Sequence, residues 1–97
     1  MPDKFALYKN FPNPFNPRTI INYELRIRNF VVLKVYDIAG REVATLVNDI
    51  KPAGKHAVEF NAGKLSSGVY FYTLRVTSGQ ALKAGEFAKT LRMVVVR

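Results

Sequence analysis

Residues 68–77, "GVYFYTLRVT", carry a large apolar side chain at every second position from Tyr70 to Val76. Successive side chains of a β-strand point to opposite faces, so this period predicts a strand with one buried face. The same alternation recurs in residues 19–26 and 29–37. The pattern therefore favours an all-β fold built from half-buried strands.

Short turn sequences containing glycine or proline separate these apolar runs. Short strands with turns about every 8–14 residues are typical of a sandwich or a barrel. We predict an antiparallel sandwich of about seven strands, at residues 19–26, 29–37, 41–49, 55–61, 69–77 and 87–96, with a short one near Phe5–Tyr8. The predicted core comprises Ile21, Tyr23, Leu33, Val35, Phe60, Tyr70, Tyr72, Leu74 and Met93.

Length and composition indicate one globular domain. The 97 residues are 48% hydrophobic, which is enough to build a hydrophobic core. They include no cysteine, so there is no disulfide framework. No apolar run reaches the ~20 residues that span a bilayer. Residues 1–20 also lack the apolar segment of a signal peptide, so we expect either a cytosolic chain or a piece of a longer one.

The chain is strongly basic, with 15 Lys and Arg against 7 acidic residues and a net charge of +8. Such a charge is compatible with a polyanion-binding domain. The basic residues are spread singly along the sequence, however, which is typical of a solvated surface. We therefore expect no specific nucleic-acid partner.

Residue patterns that would support catalysis or metal binding are missing. His56 is the one histidine, in a predicted strand, where a surface hydrogen-bonding role is the usual one. The acidic residues are scattered, and Ser66 and Ser67 precede a glycine without a nucleophile-elbow pattern. We therefore predict that the domain is not an enzyme and holds no metal or cofactor.

Residues 1–18 form a distinct N-terminal segment rich in proline and asparagine. Proline has no N–H to donate to a sheet and disfavours helix in the residue before it. The segment is therefore predicted to run as a stiff extended arm or linker before a sandwich at residues 19–97. Phe11 and Phe15 are expected to plug the open end of that sandwich.

Four stretches resemble, in order and spacing, the C-terminal sorting domains of the type IX secretion system. The resemblance covers about residues 8–97 and is specific because two motifs occur together, F-P-N-P-F-N-P and G-V-Y-F-Y. The stretches are "FPNPFNPRTIINYEL", "LKVYDIAGREVATLV", "PAGKHAVEFNAGKLSSGVYFYTL" and "LRMVVVR". The family is itself similar to the immunoglobulin-like domain of flagellar hook-capping proteins.

The resemblance implies an immunoglobulin-like sandwich that ends a large secreted protein. Such a domain is recognised in the periplasm and directs an upstream cargo through the outer-membrane secretion machinery to the cell surface. The recognition residues it implies are Arg92, Met93, Val94, Val95, Val96 and Arg97. The structural motif it implies comprises Pro12, Asn13, Pro14, Phe15, Asn16, Pro17, Gly40, Gly54, Gly68, Tyr70 and Tyr72.

Two segments depart from the family pattern. In "RIRNF" a proline and a glycine are replaced, so Asn29 is expected to be the turn residue, since it tolerates positive φ. The connection at residues 80–89 is longer than usual, and its conformation is left open.

The last strand supports a second hypothesis besides sorting. An apolar final strand and a stiff arm would also suit a structural or adhesive subunit that self-associates through its edge strands. If the strand pairs within its own sandwich, Met93 and Val95 should face the core. Arg92, Val94 and Val96 should then face outward and make a small apolar patch, formed by the two valines and bracketed by the charges of Arg92 and Arg97.

Overall fold

A computed structural model describes residues 4–77 and 87–97. Over these residues the chain forms seven β-strands and no helix, which confirms the all-β prediction. The strands are β1 (Ala6–Leu7), β2 (Arg18–Leu25), β3 (Asn29–Tyr36), β4 (Glu42–Lys51), β5 (Gly54–Asn61), β6 (Gly68–Thr77) and β7 (Phe87–Val95). In the described part of the chain, no helix is present that could cross a membrane.

The strands form two antiparallel sheets, ordered β1-β2-β5 and β4-β3-β6-β7. An immunoglobulin constant-type sandwich places strands A, B, E and D in one sheet and C, F and G in the other. Here β1, β2 and β5 correspond to A, B and E, while β3, β6 and β7 correspond to C, F and G. The remaining strand, β4, lies beside β3 at the edge of the second sheet. The immunoglobulin-like sandwich prediction is therefore confirmed.

The core lies between the sheets and follows the period of two seen in the sequence. All nine predicted core residues are buried, with Tyr70 the most exposed of them at 8%. Tyr23 from the first sheet and Tyr72 from the second are the largest fully buried side chains. Burying a large apolar side chain contributes about 1.5–3 kcal/mol, so these tyrosines are major contributors to the packing of the two sheets.

Tyr70 lies near the start of β6 and joins that strand to the preceding loop. Its hydroxyl donates to the carbonyl oxygen of Ser66, 2.9 Å away and four residues upstream. This arrangement corresponds to the tyrosine corner of immunoglobulin-like domains, where a tyrosine near the start of strand F bonds the backbone upstream. The bond fixes the angle at which the chain enters β6.

A tight turn connects β3 to β4. The carboxylate of Asp37 accepts from the backbone N–H groups of Ala39 and Arg41 and from the Arg41 guanidinium, at 2.9–3.0 Å. These bonds, led by the one from the Arg41 backbone, lower the pKa of Asp37. Gly40 has a φ of +88°, which a residue with a Cβ rarely adopts, so glycine is required there.

The turn between β2 and β3 differs from the prediction. Asn29 is not the turn residue, because it is the first residue of β3 and is buried. Its side-chain Nδ2 donates to the carbonyl oxygen of Thr77 at 2.8 Å, which anchors the start of β3 to the end of β6. The chain bends at Arg26 and Ile27 instead. A buried side-chain amide needs a hydrogen-bond partner, and at the start of β3 the Asn29 side chain finds one across the sheet.

The long connection before the last strand is only partly described. Residues 87–89 belong to β7, and residues 80–86 lie outside the described residues.

Candidate recognition site at the last strand

The last strand presents the two faces that its sequence predicts. Met93 and Val95 are buried at 0% and 1% exposure, and they extend the core beside the buried residues of β6. Arg92 and Val96 are exposed and Val94 is half-buried on the opposite face. The outward side chains of Arg92, Val94 and Val96 are thus available to a partner while the strand remains part of the sandwich.

The proline motif at residues 11–17 packs directly against the sandwich. Phe15 is buried at 3% exposure, and its ring lies 6.1 Å from that of Phe60 in an edge-on arrangement. Phe11 is 77% exposed, so the prediction that both rings plug the sandwich is right for Phe15 and wrong for Phe11. Phe11 faces outward because its backbone pairs with Ile20, whose side chain is on the outer face of β2.

The same motif also binds the end of β7. Phe15 pairs in parallel with Val95: its N–H donates to the carbonyl of Val94 at 3.1 Å, and its carbonyl accepts from the N–H of Val96 at 3.0 Å. The side-chain Oδ1 of Asn13 accepts from the N–H of Val94 at 3.0 Å. These three hydrogen bonds hold the final residues against the first part of the chain.

Arg97 binds its own domain. Its backbone N–H donates to Ser67 Oγ at 2.9 Å, and its guanidinium donates to the carbonyl oxygens of Gly63 and Leu65, the latter at 3.1 Å. The expected patch bracketed by Arg92 and Arg97 is therefore asymmetric. Arg92 stands on the outer sheet face, whereas Arg97 is bonded to the loop that precedes β6.

Asn10 and Thr19 form a buried polar cluster beneath the proline motif. Asn10 Nδ2 donates to Thr19 Oγ1 at 3.0 Å, and the Thr19 hydroxyl donates to the carbonyl of Pro12 at 2.8 Å. Both residues are at most 3% exposed. This cluster was not predicted from the sequence, although Thr19, a polar residue on the inward side of β2, is a signal for it.

The three glycines of the predicted structural motif lie at strand starts or in a turn. Gly54 and Gly68 begin β5 and β6, and both have positive φ. Gly68 lies opposite Val95 in the β6–β7 ladder, so of the three motif glycines it is the one beside the final strand. Gly40 lies in the β3–β4 turn, away from β7.

Neither a cleft nor a metal-binding cluster accompanies β7 in the described part of the chain. Residues 4–77 and 87–97 form no ligand-sized cavity. Within those same ranges, no three His, Cys, Asp or Glu side chains converge in a way that could hold a metal ion.

Two antiparallel sheets, with a last strand that is buried on one face and exposed on the other, define an immunoglobulin-like domain. Residues 9–84 match the family model described as "Secretion system C-terminal sorting domain". Because this match spans more than half of the 97 residues, the chain belongs to that family, the type IX sorting domains. Searches of curated proteins and of solved structures gave no match.

Membership in this family identifies the chain as a sorting signal for type IX secretion. It implies a secreted or cell-surface protein in which the domain is linked to an upstream cargo and serves the secretion machinery. The family is not known for catalysis. The match ends before β7, so the role of residues 92–97 in recognition stays a prediction.

Proposed function

We propose that this domain is a non-catalytic module that directs an upstream cargo through the periplasm and across the outer membrane to the cell surface. The outward side of the β7 end, formed by Arg92, Val94 and Val96, is the surface that the secretion machinery reads. The observation that supports this is the alternation along β7, with Met93 and Val95 buried and Val96 47% exposed. A partner can therefore contact the signal without unfolding the sandwich.

The proline motif supports the proposal because it fixes the position of this surface. Backbone hydrogen bonds join Phe15 to the carbonyl of Val94 and to the N–H of Val96. Arg97 is hydrogen-bonded to the loop at residues 63–67. A short apolar strand end that moved freely would lose conformational entropy on binding. Holding it in place reduces that cost, so the motif acts as a positioning element for the recognition surface.

A secretion assay on the domain fused to a reporter cargo tests the proposal. Val96→Ser combined with Arg92→Ala changes outward side chains alone, and we expect the reporter to accumulate in the periplasm. The matched control, Lys55→Ala with Arg28→Ala, changes exposed residues elsewhere and should leave surface delivery intact. Deleting residues 92–97 should also block export.

Folding has to be measured in parallel, because the deletion also removes Met93 and Val95 from the core. Thermal unfolding of the isolated domain separates loss of folding from loss of recognition. Export at the normal level by a folded Val96→Ser, Arg92→Ala variant would show that the outward face is not what is read. Normal export after the deletion would overturn the sorting function of this strand altogether.

A structural or adhesive subunit is the second candidate function, and the position of β7 at the edge of its sheet favours it. If the domain self-associates, sedimentation should show a concentration-dependent mass. The third reading, a polyanion-binding domain, predicts binding to heparin that persists at physiological salt, whereas contacts from scattered charges weaken steeply as salt rises.

A further inference from the structure

The edge strand β7 is only partly covered by the proline motif. Val94 directs its N–H and its carbonyl away from β6, since both bond to the proline motif. In an antiparallel ladder, every second residue has the same orientation. Arg92, Thr90 and Ala88 therefore also direct their N–H and carbonyl groups outward, and within residues 4–77 and 87–97 no backbone group pairs with them.

Asn13 marks the point where coverage of this edge ends. In a parallel ladder continued from Phe15, the next acceptor for the N–H of Val94 would be the backbone carbonyl of residue 13. The side-chain Oδ1 of Asn13 takes that place, 3.0 Å from the Val94 nitrogen. The edge thus already pairs with one residue of its own chain, Phe15, and the side chain of Asn13 ends this pairing after a single bridge.

The other sheet edges are protected in ways that β7 is not. β1 has two residues, and the β3–β4 ladder contains two register shifts, which distort an edge and hinder pairing. Along β5 the charges have both signs, and Glu59 is paired with Arg18 at 3.3 Å. By contrast, β7 pairs with β6 in unbroken register from Phe87 to Val95.

We propose that the free edge of β7, at Ala88, Thr90 and Arg92, is a strand-addition site for an extended, acidic segment of a partner protein. Lys89 and Arg92 are exposed beside this edge, and neither forms an ion pair with the described residues. The net charge of +8 opposes a second copy of the chain and favours an acidic strand. Main-chain bonds would supply affinity and the two cations selectivity. This site shares Arg92 with the proposed recognition surface, but it is tested by peptide binding and does not rest on the proposed sorting function.

A short capped peptide of alternating valine and glutamate is the probe, with binding followed by NMR on the intact domain. We expect the peptide to slow hydrogen exchange at the amides of Ala88, Thr90 and Arg92. A peptide with alternate N-methylated amides keeps its charge but cannot complete a ladder, and it should not bind. The peptide with lysine in place of glutamate should bind at least about tenfold more weakly.

Two matched charge variants distinguish binding that depends on the cations beside β7 from binding that depends on the net charge of the domain. Lys89→Glu with Arg92→Glu should weaken binding of the glutamate peptide at least about tenfold and favour the lysine peptide. Arg28→Glu with Lys55→Glu makes the same change in net charge elsewhere and should bind the glutamate peptide nearly as well as the native domain. Ala88→Pro, which removes an outward N–H, should also weaken binding.

Several results would overturn the proposal. One is slow exchange at the three amides in the free domain, which would show that the edge is already covered. Others are equal binding by the N-methylated peptide, equal loss in the two charge variants, or absence of binding at millimolar peptide. Protection of the three amides that rises with domain concentration alone would assign the edge to a second copy instead. Surface delivery of a reporter cargo is not an outcome of this test, so failure here leaves the sorting proposal intact.

Discussion

The hydroxyl of Tyr72, in the centre of β6, donates to the carbonyl oxygen of Tyr8 in the N-terminal segment at 2.8 Å. The same hydroxyl accepts from the N–H of Asn10 at 2.9 Å. One buried side chain of the second sheet therefore satisfies two backbone groups of the segment that leads into the proline motif. This contact ties the N-terminal segment to the core ahead of Phe15.

Replacing Tyr72 with phenylalanine should cost about 1–3 kcal/mol of unfolding free energy, because the Tyr8 carbonyl and the Asn10 N–H each lose a partner. Urea denaturation measures the change. Tyr36→Phe, on the outer face of β3, is the control and should cost much less. A loss for Tyr72→Phe no larger than that of the control would mean that water replaces the hydroxyl.

Alkaline pH should destabilise the domain. Burial raises the pKa of Tyr72, although the hydrogen bond from Asn10 opposes the shift, and burial also raises the pKa of Tyr23. A phenol whose folded pKa is raised above its usual value near 10.0 contributes stability below that pH. The contribution is lost as pH rises from there through the folded pKa.

Unfolding free energies measured in urea across the alkaline range check this expectation. Tyr72→Phe and Tyr23→Phe should each make the fall with pH less steep. An equal slope in the native domain and in both variants would assign the alkaline loss to other groups.

The two phenylalanines of the proline motif should differ sharply in their contribution to stability. Phe15→Ala empties a buried position and should cost about 3–5 kcal/mol. Phe11→Ala removes an exposed ring and should change stability by less than about 0.5 kcal/mol. Thermal unfolding measures the stability of both variants. Similar losses of stability would contradict the buried position of Phe15 and the exposed position of Phe11.

Asn13→Ala should release the end of β7 without unfolding the sandwich. Loss of its one bond to Val94 is worth about 0.5–1.5 kcal/mol. Hydrogen exchange should accelerate at the amide of Val94 and much less at that of Val96, which Phe15 holds. Asn16→Ala, which changes another exposed asparagine of the proline motif, is the control. Identical hydrogen exchange at Val94 in both variants would argue against the capping role of Asn13.

Much of the fold could be predicted because it depends on local alternation. The period of two along β2, β3 and β6 identified these strands and seven of the nine predicted core residues, since a one-residue slip would expose the whole face. The inward side of Met93 and Val95 followed from the same rule. Such patterns can be read without knowing which strands are neighbours.

Contacts between distant segments could not be predicted in this way. Nothing near Asn13 in the sequence indicates Val94 as its partner, and nothing near Arg97 indicates the carbonyl oxygens of Gly63 and Leu65. Asn29 was misassigned because its tolerance of positive φ suggested a turn, whereas its amide bonds Thr77 across the sheet. Side-chain hydrogen bonds depend on packing that composition does not reveal.

The bond between Asn13 and Val94 joins positions that are 81 residues apart. A chain that emerges from a ribosome or a membrane channel with its N-terminal end first cannot make this bond until residue 94 has appeared. Until then the N–H and the carbonyl of Phe15 lack their partners in residues 94–96, since the strand that completes this pairing arrives last. Completion of the sandwich therefore reports that the whole domain has emerged, and a chain stalled or truncated before residue 94 remains open to proteolysis.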